Sequence, residues 1–135
     1  MVLAMFVSLV SCDNRMEDPY EYIALPIGIE EGFNPFTFGN VRLQVDNHMK
    51  IYNAGSDVAE MAFSKNFVYR IQMINKIPRD GWSDTADCVL QNGYVGRLMK
   101  DDGTYEYCRF YVFTIDYDAT ATQFALIKYS RDFRP

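Results

Sequence analysis

Tyr94-Val95-Gly96-Arg97-Leu98-Met99, then Lys100-Asp101-Asp102-Gly103, then Thr104-Tyr105-Glu106-Tyr107-Cys108-Arg109-Phe110 read as two strands joined by a polar turn. β-Branched and aromatic residues crowd both arms, and glycine closes the turn, which is the signature of a β-hairpin. The second arm runs on to Asp116. From Phe110 to Ile115 it is apolar on both faces, as expected of a central strand covered on two sides. Asp116 to Thr120 turns the chain again, and Ala121 to Tyr129 reads as a closing strand.

The same reading extends upstream. Tyr22 to Glu30 places Ile23, Leu25, Ile27 and Ile29 on one face, and Pro26 confines that strand to an edge or a bulge. Glu31 to Asn40 is a loop whose three phenylalanines suggest that it folds back over the core. Val41, Leu43 and Val45 alternate with polar residues up to Asp46-Asn47-His48, and Met49 and Ile51 resume the pattern, giving another hairpin. Val58 to Asn66 fits either a strand or a short helix near residues 57–65, with Glu60 three positions after a capping Asp57. Phe67 to Ile77 alternates and predicts a strand. Pro78 to Asp84 is a turn that carries the only tryptophan, Trp82. Thr85 to Leu90 is a short strand, followed by the turn dipeptide Asn92-Gly93. The expected fold is all-β and mainly antiparallel, a compact sandwich or partly closed barrel of about seven to nine short strands.

Composition narrows the functional classes. The chain has 135 residues and 49% apolar content, enough for one core and inconsistent with disorder. Its net charge of −5 lacks the electrostatic footprint of a nucleic-acid binder. The basic residues are scattered, with no polybasic run of the kind that marks anionic lipid.

Candidate chemistry is sparse. His48 is the only histidine. It stands at a hairpin tip, where solvent exposure is expected, and no C-x-x-C spacing supports a metal site. Asp101-Asp102 sits in a turn and should be solvated. Asp116-x-Asp118-x-Thr120 faintly resembles a calcium loop without its glycine or distal glutamate. No phosphate loop, nucleophile elbow or Cys-His pairing appears, so neither an enzyme nor a cofactor is expected. Trp82, Tyr94, Tyr105, Tyr107 and Tyr111 admit two readings. They form an aromatic platform for a glycan, with Trp82 and Tyr94 at its centre, or they fill the core. Tyr105, Tyr107 and Tyr111 share a face with Phe113 and Ile115, which favours core.

The N-terminal residues carry an address. Met1 to Val10 is uncharged and apolar and ends in Leu9-Val10-Ser11-Cys12, which resembles a bacterial lipobox. The run is too short to span a bilayer and fits the apolar core of a signal peptide without its basic start. On this reading residues 1–11 are a truncated leader, Cys12 receives lipid, residues 12–20 form a polar tether, and residues 21–135 form one β domain. Glu17-Asp18 is a thin version of the acidic signal for surface export in Bacteroides-type bacteria. With Cys12 acylated, Cys88 and Cys108 remain as an even pair in an oxidising compartment. They form either a disulfide, worth ~3 kcal/mol for a loop of about twenty residues, or two separate buried thiols.

Gly81-Trp82, Asn92-Gly93-Tyr94-Val95-Gly96-Arg97, Tyr107-Cys108-Arg109-Phe110-Tyr111-Val112 and Leu126-Ile127-Lys128-Tyr129 occur in that order. With the lipobox, this resembles a group of small Bacteroides-type cell-envelope lipoproteins. Phe110 stands where that group usually has Tyr or Leu. The resemblance implies a secreted, lipid-anchored β domain, which places the protein at the outer membrane or cell surface, facing outward or into the periplasm; the partner expected of such a module is a protein or a glycan. It implies no activity. Asp84-Thr85-Ala86 further resembles the short pattern at which such bacteria O-glycosylate exported proteins, with Thr85 as acceptor.

Overall fold

A computed structural model describes residues 21–29, 39, 41–131 and 133–135. Cys12, the leader and tether expected around it, and Phe33, Phe36 and Phe38 lie outside the described residues. Eight strands are present there: β1 (Glu21–Pro26), β2 (Leu43–Val45), β3 (Lys50–Asn53), β4 (Ala59–Lys65), β5 (Thr85–Asp87), β6 (Gly93–Met99), β7 (Tyr105–Tyr117) and β8 (Gln123–Ser130). They form a five-stranded sheet in the order β1-β8-β7-β6-β4 and a three-stranded sheet in the order β2-β3-β5, every strand pairing being antiparallel. The two sheets make a sandwich that is not closed into a barrel.

Single bridges stitch the sheets at two corners. Ile27, just past β1, bridges Val45 of β2, and Gly28 N–H donates to Val45 O at 2.8 Å. At the other corner Met61 and Ser83 exchange both backbone hydrogen bonds, at 2.7 and 2.9 Å. Pro26 sits where its missing donor requires, on β1, which is an edge strand among the described residues and pairs there with β8. Glu21 opens β1 opposite Tyr129 of β8, whose hydroxyl donates to Glu21 Oε1 at 3.0 Å, and Arg131 forms an ion pair with Glu21.

The hydrophobic residues divide between the two faces of the large sheet. Between the sheets, Ile23, Leu25, Leu43, Val45, Ile51, Tyr94, Phe110, Val112 and Ile127 belong to the main core. On the opposite face Val68, Ile71, Ile74, Val95, Tyr111 and Phe133 form a second. The central hairpin β6–β7 is therefore covered on both sides, as the apolar run from Phe110 predicts.

The covering segment is where the sequence pattern misleads. Phe67 to Ile77 is no strand: it holds one 3-10 turn, Ile71–Met73. It buries Val68, Ile71 and Ile74, three residues apart, each completely. A spacing of three is the 3-10 rhythm. Burying each such side chain contributes ~1.5–3 kcal/mol, enough to hold an irregular segment against a sheet. Gly93 permits this approach. A Cβ there would stand 2.7 Å from Val68 Cγ2 and 2.9 Å from Ile74 Cδ1. Gly93 thus belongs to β6, while the turn before it spans Val89 to Asn92 and takes its left-handed backbone from Gln91, at φ 64°.

Two further expectations resolve. Residues 57–65 give strand β4, because pairing to β6 outweighs the local capping signal. In β7 a bulge between Val112 and Thr114 shifts the side-chain parity by one. Ile115 therefore joins Phe110 against the main core, away from the face of Tyr107 and Tyr111.

Candidate functional site

The site is built on the outer face of β4, β6 and β7. Register places Glu60 of β4 opposite Arg97 of β6, and Arg97 opposite Tyr107 of β7. Tyr105 lies two residues from Tyr107 and so shares its face. The Met61–Ser83 bridge brings the neighbouring Trp82 alongside.

These constraints enclose one cation. The Arg97 guanidinium lies 4.2 Å from the Trp82 ring centroid and 4.4 Å from that of Tyr105. Its Nε and Nη2 donate to Glu60 Oε1 at 3.0 and 2.7 Å. Both faces of the cation are stacked and its edge is paired, so the side chain is held rather than free to move. The Tyr107 ring completes the cluster, 6.3 Å from Trp82 and 6.1 Å from Tyr105. Trp82, Tyr105 and Tyr107 are all half-buried. The result is an amphipathic surface with a fixed charge pair at its centre.

Tyr94 is not part of that surface. It is 1% exposed, stacks on Phe110 with ring centroids 5.1 Å apart, and donates its hydroxyl to Asp87 O. The platform centred on Trp82 and Tyr94 is therefore corrected: Tyr94 points to the core face of β6 and Arg97 to the outer one. Glu60 and Arg97 could not be found from sequence as a pair, because only the β4–β6 register brings them together.

The cysteines take the second of their two readings. Cys88 and Cys108 are free and buried, not bonded to each other. Cys108 belongs to β7 in the large sheet, while Cys88 follows β5 in the small one, and both fill the main core as small apolar groups. Burial pushes the Cys108 thiol up to about 12 and the Cys88 thiol up to about 11, so neither is a nucleophile near neutral pH. Cys108 also lines a narrow cleft between the sheets with Val41, Leu43, Met61, Gly96 and Phe110, about 270 Å³ including its open mouth.

The acidic turns hold themselves. Asp118 Oδ1 accepts from Thr120 N–H, Thr120 Oγ1 and Thr122 N–H at 2.8, 2.7 and 3.0 Å. Those bonds, the Thr120 hydroxyl first, lower its pKa. Asp102 binds Thr104 in the same way, and the Thr104 hydroxyl chiefly lowers its pKa. Each carboxylate clasps its own turn. Among the described residues no three His, Cys, Asp or Glu side chains stand together as a metal site. His48 is exposed at its hairpin tip, and Thr85 is exposed at the start of β5.

The chain matches no protein-family model, and no curated protein or solved structure is significantly similar to it.

Proposed function

We propose that this protein is a lipid-anchored lipoprotein of the bacterial outer membrane or cell surface, acting as a non-enzymatic interaction or accessory module. The observation that carries this reading is the position of Cys12. It closes the run Leu9-Val10-Ser11-Cys12, where an uncharged apolar stretch ends in a small residue and a cysteine and charge begins at Asp13, the context of a lipobox. No helix among the described residues is long and apolar enough to cross a membrane. In this reading the acyl chain on Cys12 supplies the attachment. The Trp82–Arg97–Tyr105 cluster is the surface we assign to a protein partner, since aromatic residues and arginine dominate interface hot spots.

Mass spectrometry of the native, detergent-extracted chain tests this. A diacylglyceryl mass on an N-terminal Cys12 is expected, and an unmodified chain beginning at Met1 would overturn it. A second reading, glycan binding, now rests on Trp82, Tyr105 and Tyr107 beside the Arg97–Glu60 pair. Selective binding on a glycan array, lost in Trp82→Ala, would favour it over a protein partner.

A further inference from the structure

Phe67 presents a large aromatic ring to solvent. Its backbone is left-handed at φ 58°, a conformation that glycine or asparagine adopts at little cost and a bulky side chain rarely does. Its ring is 74% exposed. Tyr69, two residues on, is 62% exposed, while Val68 between them is fully buried and anchors the loop. Val68 N–H donates to Gln91 O at 2.8 Å, which sets the loop beside the Val89–Asn92 turn. That turn presents Val89 and Leu90 at 46% and 51% exposure. Four large apolar side chains thus stand in solvent at one end of the sandwich.

Charge points to the occupant. Between Glu60 and Asp80 the chain carries Lys65, Arg70, Lys76 and Arg79 and no acidic residue, within a protein of net charge −5. All four are exposed, and none makes an ion pair among the described residues. The inward side chains of this segment are those that seal the second core. Its outward surface is aromatic and basic. The basic residues are scattered over the whole chain, but these four fall between the end of β4 and the turn before Trp82, with no acidic residue among them. Aromatic side chains at the water–lipid boundary, ringed by Lys and Arg, are the pattern of an interfacial membrane contact. Aliphatic Val89 and Leu90 suit acyl chains better than nucleobases, and the acidic balance of the whole chain opposes nucleic acid.

We propose that the Lys65–Arg70 loop and the adjacent Val89–Leu90 turn seat the domain on an anionic bilayer surface. Tether length agrees, a point that rests on the anchor proposed at Cys12. The nine steps from Cys12 to Glu21 span at most ~30 Å. Glu21 and Phe63 lie in one register row across the sheet, four strand spacings or ~19 Å apart. An anchor at one edge and a contact at the other can therefore engage one membrane.

The test uses the full chain with Cys12→Ser, so that no lipid is attached. A Phe67→Trp probe in a Trp82→Phe background is mixed with vesicles of phosphatidylcholine containing phosphatidylglycerol and brominated acyl chains. Quenching of the probe is expected, and its absence would overturn the proposal. Lys65→Glu with Arg70→Glu should weaken co-sedimentation of the Cys12→Ser chain with phosphatidylglycerol vesicles about tenfold or more, in line with ~1 kcal/mol per basic residue near the surface. Phe67→Gly should also weaken it while thermal stability holds or rises, which separates lost contact from lost fold. Equal binding by these variants, or binding to single-stranded RNA but not to vesicles, would overturn the proposal. Failure of the two readings is distinguishable. An unlipidated native chain with a quenched probe defeats only the anchor, and a lipidated Cys12 with an unquenched probe defeats only the surface.

Discussion

Gly96 lies beneath the Cys108 thiol: a Cβ at Gly96 would stand 2.9 Å from Cys108 Sγ. The two residues face each other across β6 and β7, with Phe110 also close to that point. A methyl group there must displace a buried side chain. Gly96→Ala is expected to cost ~1–3 kcal/mol, measured by urea denaturation. Combining it with Cys108→Ala should recover ~1 kcal/mol relative to the sum of the single variants, because each methyl then occupies space that the thiol vacates.

The two thiols set an alkaline limit. Their folded pKa values are raised from 9.0 to about 11 and about 12, and burial also raises the Tyr94 hydroxyl from 10.0 to about 12. Above pH 9 the unfolded chain releases thiol protons that the folded chain retains. The unfolded state then binds fewer protons, so stability falls with pH. It should be constant in this respect below pH 9 and decline towards pH 11–12. In the native protein a thiol-reactive dye at pH 7.5 should leave both cysteines unlabelled until denaturant is added. Rapid labelling without denaturant would show that the core opens locally.

Gly93→Ala should act on one segment more than on the rest. The added methyl meets Val68 and Ile74, both of which cover the second core. A loss of ~1–3 kcal/mol is expected. Hydrogen exchange should quicken most at the amides of Val68, Met73 and Ile74, which bond within or beside that segment, before the β2–β3 hairpin is affected.

Ala121 has a left-handed backbone at φ 64° in the exposed β7–β8 turn. Its side chain has little packing to lose. Ala121→Gly should raise stability by ~0.5–1 kcal/mol, read as a higher denaturation midpoint with an unchanged slope.

Arg97→Met removes the cation from between Trp82 and Tyr105 and leaves Glu60 without that partner. The pair is partly exposed, so the cost should be modest, ~1–2 kcal/mol. Trp82, the only tryptophan, makes the event visible as a shift in intrinsic emission. An unchanged spectrum would mean that the stack does not persist in solution.

Local patterning shows most of this architecture. The β2–β3 and β6–β7 hairpins follow from alternation and turn chemistry, and Pro26 restricts β1 to an edge or a bulge, of which it takes the edge among the described residues. What alternation cannot show is the partner. Glu60 and Arg97 are distant in sequence and meet only through register, so the candidate site had to wait for the fold. Phe67 to Ile77 alternates convincingly, yet its buried residues recur every third position because the sheet beneath, and not a neighbouring strand, selects them. A one-residue bulge after Val112 was equally invisible, and it alone moves Ile115 to the other face. The free cysteines show the same limit: an even count says nothing about which sheet each thiol occupies.

The pairing of Glu21 with Tyr129 has a mechanical consequence. Among the described residues β1 is the first strand of the large sheet and β8 the last, adjacent antiparallel strands whose outer ends coincide. A pull through the N-terminal side therefore loads this ladder one rung at a time and not in shear. The Glu21 contacts to Tyr129 and Arg131 are the first to bear it. Under such a load β1 would be expected to separate from β8 first, and the peel would then run towards the bridge that joins Ile27 to Val45 of the second sheet.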